Sequence, residues 1–171
     1  MRRLTVAVLF FGLAATACKR STRHAAPPEL LSVLAMDDPR AGAQLVRGFY
    51  SLEEGKWRWT ASRFSVTLKP PPGSPLNGAR LELMLNIPDV VMRELGFVTL
   101  LALAGENALA PEKYTKPGNY VYARDVPAGA LGGDSVTIEF ATDKAIPAGQ
   151  LETRELALVV NSVALVAQTP K

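Results

Sequence analysis

Residues 57–68 read Trp-Arg-Trp-Thr-Ala-Ser-Arg-Phe-Ser-Val-Thr-Leu, and toward the end Phe64, Val66 and Leu68 alternate with Ser65 and Thr67. A period of two marks a strand with one dry and one wet face, because successive side chains leave a pleated backbone on opposite sides. The pattern recurs twice: Leu81, Leu83 and Leu85 alternate with Arg80, Glu82 and Asn86, and Val136, Ile138 and Phe140 with Ser135, Thr137 and Glu139. Phe97–Ala104 and Leu156–Val166 are apolar on both faces and read as central strands covered on two sides.

Turn chemistry separates these runs: Pro70-Pro71-Pro72-Gly73-Ser74-Pro75, Asn77-Gly78, Pro117-Gly118-Asn119, Gly132-Gly133-Asp134 and Pro147-Ala148-Gly149. Strands are expected near 46–52, 57–68, 79–87, 97–104, 112–116, 119–126, 135–141 and 154–167, with a short helix over Pro88–Leu95 and one helical turn over Pro127–Leu131. Strand and turn at this spacing predict an all-β fold over residues 45–171, an antiparallel jelly-roll-like (galactose-binding-like) β-sandwich of about eight strands. An immunoglobulin-like sandwich gives the same alternation and stands as the alternative.

Upstream, residues 1–17 have the parts of a bacterial lipoprotein signal peptide: Arg2 and Arg3, an apolar stretch from Leu4 to Ala17, and small residues before the single cysteine, Cys18. That stretch is short of the ~20 residues a membrane-crossing helix needs. A cysteine directly after Ala-Thr-Ala resembles a lipobox, although Ala15 stands where Leu is usual. Cys18 is therefore the expected site of acylation, palmitate included, and the anchor to a membrane, each buried CH₂ stabilising attachment by about 0.8 kcal/mol. The expected location is the cell envelope, with the outer membrane preferred over the inner because Lys19, not Asp, follows the cysteine. Residues 18–44, polar and interrupted by Pro27, Pro28 and Pro39, read as a lipidated cysteine and flexible tether, spanning on the order of 28 Å as a coil. Leu30, Leu31 and Leu34 have the spacing of one short helical turn within it.

The basic pI of 9.2 is carried largely by the leader and by Lys19, Arg20 and Arg23. Without Arg2 and Arg3, the 19 Lys and Arg fall to 17 against 16 Asp and Glu. No basic stripe with interleaved aromatics exists, so nucleic acid is not an expected partner. The single histidine, His24, lies in the tether beside Cys18, which leaves the folded domain without a Ser-His-Asp or Cys-His arrangement or the usual zinc ligands. No metal and no cofactor is expected. Glu53, Glu54, Asp89, Glu94, Asp125 and Asp134 are scattered through turns and strand ends and read as solvated or turn-capping groups.

The aromatic residues carry the candidate site. Trp57 and Trp59, the only tryptophans, share one face of their strand with Arg58 on the other, and Tyr120 and Tyr122 share a face with Arg124 two residues on. Such rings either fill the core or form an exposed platform for sugar rings. The candidate ligand-binding residues are thus Trp57, Arg58, Trp59, Tyr120, Tyr122 and Arg124.

Gly48-Phe49-Tyr50, Leu52-Glu53, Trp57-Arg58-Trp59-Thr60 and Glu152-Thr153-Arg154-Glu155-Leu156-Ala157 come in that order before a hydrophobic last strand. The set resembles a small β-sandwich module of bacterial envelope and polysaccharide-related proteins, found beside glycosyltransferases and as stand-alone lipoproteins. The module's pattern is Gly-aromatic-aromatic-x-Leu-Glu, Arg-Trp-Thr, then Asp-x-Arg-x-Leu-Gly; here Glu152 replaces Asp and Ala157 replaces Gly. The resemblance implies a β-sandwich in an envelope setting. The expected function is a non-catalytic, glycan-binding envelope lipoprotein. A structural or assembly lipoprotein that binds another envelope protein is the alternative, and a carboxylate-dependent glycan hydrolase a remote third.

Overall fold

Residues 57–68 form one long strand, Trp57–Leu68, at the middle of the strand path. The computed structural model describes residues 29–168, so the leader, Cys18 and His24 lie outside the described residues. Among the described residues there are nine strands: β1 (Val33–Ala35), β2 (Leu45–Glu53), β3 (Trp57–Leu68), β4 (Ala79–Ile87), β5 (Val98–Ala104), β6 (Asn107–Tyr114), β7 (Gly118–Val126), β8 (Val136–Thr142) and β9 (Val159–Ala167). Two short helices, α1 (Ser74–Asn77) and α2 (Asp89–Leu95), and single 3-10 turns at Ala41–Ala43 and Ala128–Ala130 connect them.

The result is an all-β antiparallel sandwich that nearly closes into a barrel. Its strands run in the order β6-β5-β8-β3-β9-β4-β7, with β1 added to β9 and β2 to β3. Residues 63–68 of β3 pair with β8, whereas Arg58 and Trp59 pair with Val160 and Val159 of β9. Strand β2 follows β3 through three register shifts. This course requires Gly48: its φ is +74°, and a Cβ there would lie 2.0 Å from the Arg63 carbonyl oxygen and 2.7 Å from Phe64 Cα. Only glycine allows two backbones to approach this closely.

The core is the dry face of the alternation. Phe64, Val66 and Leu68 of β3, Leu81, Leu83 and Leu85 of β4, and Val136, Ile138 and Phe140 of β8 are all buried. Phe64 stacks on Phe140 at 4.9 Å and receives the edge of Phe49 at 5.3 Å. Aromatic pairs of this kind are stabilised beyond their buried area.

Three expectations need correction. Residues 29–44 are not a tether: Leu34 and Met36 are fully buried, and β1 pairs with β9 from Val33 to Ala35. The buried Gln44 side chain fastens this segment, accepting the Leu31 N–H (2.8 Å) and donating to the carbonyls of Leu31 (3.0 Å) and Thr67 (2.7 Å). A three-residue strand is too short to display a period of two, and so Leu34, with Leu30 and Leu31 just ahead of the strand, looks helical. Secondly, β6 begins at Asn107 rather than near 112; Pro111 sits inside it, tolerated because β6 ends the strand path. Strand β9 in turn begins at Val159, its approach Leu156–Leu158 being buried without being strand. Thirdly, β5 lies between β6 and β8 but is covered on one face only, leaving Leu101 and Leu103 45% and 40% exposed.

Two substitutions test this construction by urea denaturation. Leu34→Ala should cost about 2–5 kcal/mol, as for any fully buried leucine, whereas a tether residue would register nothing. Gly48→Ala should lose at least about 2 kcal/mol, from left-handed strain together with the clash on Arg63 and Phe64; wild-type stability in this variant would contradict the close approach.

Candidate functional site

The N-terminal end of β3 projects Trp57 and Trp59 from one side of the sheet, both half-buried, with rings edge to face at 6.4 Å and 79°. Two indoles at this angle form a corner rather than a flat platform. The pairing of β3 with β9 sets Trp59 opposite Val159, that of β9 with β4 sets Val159 opposite Asn86, and that of β4 with β7 sets Asn86 opposite Asn119. One transverse row therefore crosses four strands, Trp59–Val159–Asn86–Asn119, on the face opposite the core leucines of β4.

The surface along this row is concave. A depression of about 380 Å³ is lined by Trp57, Trp59, Asn86, Pro88, Asn119, Val159 and Asn161. A neighbouring one of about 430 Å³ shares Asn119 and Asn161 and adds Met84, Tyr120 and Val121. Within it, Asn86 Nδ2 donates to Asn119 Oδ1 at 2.9 Å. An amide has two donor hydrogens and an acceptor oxygen. That bond therefore leaves Asn86 Oδ1 as an acceptor and Asn119 Nδ2 as a donor, with the Asn161 amide beside them.

The other residues named from sequence go elsewhere. Arg58 faces away from the tryptophans, and its Nη1 donates to the Tyr50 carbonyl at 2.9 Å, tying β3 to β2. Tyr120 packs its ring on Tyr114 at 4.7 Å and donates to the Lys116 carbonyl at 3.0 Å, so it borders the depression without offering a free ring. Tyr122 is wholly buried and cannot meet a ligand. Together with Arg124 it closes the barrel where β6 and β7, the two ends of the strand path, meet. Tyr122 Oη donates to the Ala110 carbonyl at 2.9 Å. Arg124 lies over the Tyr122 ring at 4.4 Å, donates to the carbonyls of Ala110 (2.7 Å) and Pro111 (3.1 Å), and pairs with Glu112 at 2.9 Å. A guanidinium suits this seam because its donors fan out in one plane across several carbonyls.

The residues of the Gly-aromatic-aromatic and Glu152–Ala157 segments also meet, at a separate corner. Arg154 pairs with Glu53 at 2.7 Å and with Glu152, and lies over the Tyr50 ring at 5.1 Å. Glu155 accepts the Ser62 N–H at 3.0 Å. The hydrogen bond from Arg154 holds the Glu152 carboxyl below the usual range. This corner joins the chain before β9 to the β2–β3 hairpin, with its charges spent on one another.

Asn86, Asn119 and Asn161 escape a reading by sequence. Asn86 stands at a visibly wet position of its strand, whereas Asn161 lies in a run read as apolar on both faces and Asn119 at a turn; their convergence depends on strand order, which the sequence does not display. Among the described residues no group of three or more His, Cys, Asp or Glu side chains is gathered to hold a metal, and no helix is long and apolar enough to cross a membrane. No protein-family model matches the chain, and no curated protein matches it.

Burial pushes the phenols of Tyr114 and Tyr122 up from the ordinary value, and the Tyr114 hydroxyl has no hydrogen-bond partner. A phenol whose folded pKa is raised contributes stability that is complete below about pH 10, the unfolded value, and lost as pH rises through the folded one. Alkaline spectrophotometric titration should therefore contain phenolate steps that coincide with unfolding and disappear in Tyr114→Phe or Tyr122→Phe. Ionisation of all four tyrosines with the fold retained would contradict the buried seam.

Proposed function

We propose that the chain is a non-catalytic envelope lipoprotein that holds a glycan in the groove beginning at Trp57 and Trp59. The observation that carries this reading is the row in which Trp59 is followed across the sheet by Asn86 and Asn119. Indole surfaces stack on the C–H faces of sugar rings, and side-chain amides match hydroxyls, which both donate and accept. Asp89 is the one carboxylate that lines the adjoining depression, with Asn86 and Pro88. Glycoside hydrolysis uses two carboxylates about 5–9.5 Å apart, and the groove is lined for holding rather than for cleaving.

In this reading the leader delivers the chain to the envelope and acylated Cys18 holds it to a membrane, the outer one by preference. The likeness of Gly48-Phe49-Tyr50, Arg58-Trp59-Thr60 and the Glu152–Ala157 segment to a module of polysaccharide-related envelope proteins points the same way. A second reading, an assembly lipoprotein that binds another envelope protein, draws on a different surface. Leu101 and Leu103 border an apolar depression of about 210 Å³ with Arg47 and Arg63 at its edge.

A glycan array or a pull-down on isolated cell-surface polysaccharide separates the two. The full-length chain should bind a polysaccharide, and Trp57→Ala and Trp59→Ala should each weaken binding by about tenfold or more, as a central aromatic anchor does. Trp59 packs partly against the core whereas Trp57 does not, so Trp57→Ala keeps the test independent of folding. Binding to no polysaccharide, or binding indifferent to both tryptophans, overturns the proposal.

A further inference from the structure

We infer that the groove is selective for an uncharged oligosaccharide and excludes acidic sugars; the inference rests on the glycan reading and narrows it. No charged residue lines either depression along the row. Of the charged residues nearest along the chain, two are acidic, Asp89 after Pro88 and Glu82 two residues before Met84 on the same face of β4, and two are basic, the exposed Lys56 before Trp57 and Arg58 after it; none of the four lines either depression.

The arginines on the neighbouring strands, each able to pair with a carboxylate, phosphate or sulfate, are engaged elsewhere. Arg124 is folded into the β6–β7 seam, Arg58 faces the other side of the sheet, and Arg80 is shared between Glu82 and Asp125, each at 3.5 Å. An anionic sugar would exchange its water for amides and indoles with no cation in the lining to compensate it. Neutral hydroxyls and acetamido groups meet no such penalty, because Asn86 Oδ1 accepts, Asn119 Nδ2 donates, and the Asn161 amide does either.

Length follows from the sheet. Neighbouring strands lie about 4.8 Å apart, so the row from Trp59 to Asn119 spans roughly 14 Å, the reach of several linked sugars rather than one. The formal charge of the full chain, +3, does attract polyanions in general. Such attraction is long-range and screened by salt, whereas contacts in an uncharged groove are not.

The test uses the full-length chain in detergent, with tryptophan emission and calorimetry as readouts and three probes: cellohexaose, chitohexaose and hexagalacturonate. A neutral hexasaccharide should shift the emission and bind with affinity constant within about twofold between about 50 and 500 mM salt. Asn161→Ala and Trp57→Ala should each weaken that binding about tenfold, and hexagalacturonate should leave the emission unchanged. Hexagalacturonate binding as tightly as the neutral probes, and lost in the same variants, would overturn the selectivity while leaving the glycan reading intact. Failure of all three probes, or binding that survives both variants, would end both.

Discussion

The close approach of β2 to β3 at Gly48, where their antiparallel pairing shifts register, is the constraint on which the rest of the structure depends. Strand β3 has to give its C-terminal half to β8 and its N-terminal end to β9, and β2 accompanies it through both. No side chain fits where the two backbones meet. Because β3 reaches β9 at Arg58 and Trp59, the two halves of the sandwich share one strand, and the tryptophans are carried to the start of a four-strand row. Fold and groove are therefore consequences of one register.

The two ends of the strand path have a different solution to the same problem of closure. Strands β6 and β7 end the strand path, and exposed strand edges invite association with other chains. Here Tyr122 and Arg124 reach across to Ala110, Pro111 and Glu112 and occupy carbonyls that a neighbouring strand would otherwise seek. Arg124 is thereby unavailable to a ligand. The seam also steadies β7, whose outer face presents Asn119 and Val121 to the groove, so the residue that closes the barrel helps to hold the site from a distance.

Much of this is legible in the chain. The alternation of Phe64, Val66 and Leu68 and of Leu81, Leu83 and Leu85 marks β3 and β4 because each has one dry face, and a period of two survives any strand order. What fails does so for local reasons: β1 has too few residues to show a period, and β6 carries a proline that only an end strand accommodates. The site is half legible. Trp57 and Trp59 stand out as a same-face pair, but Tyr122, which looks equivalent by spacing, points inward, because alternation identifies two faces without saying which is wet. The asparagines become a set only through pairings between strands far apart in sequence.

A groove of two indoles and three amides, on a domain read as tethered to a membrane through Cys18, suits retention of a neutral glycan near a lipid surface. The most direct test is residue-resolved NMR of the protein titrated with a neutral hexasaccharide. The indole N–H signals of Trp57 and Trp59 and the side-chain amide signals of Asn119 and Asn161 should move together and saturate at one ligand per chain. Movement confined to the surface around Leu101 and Leu103, or none at all, would contradict it.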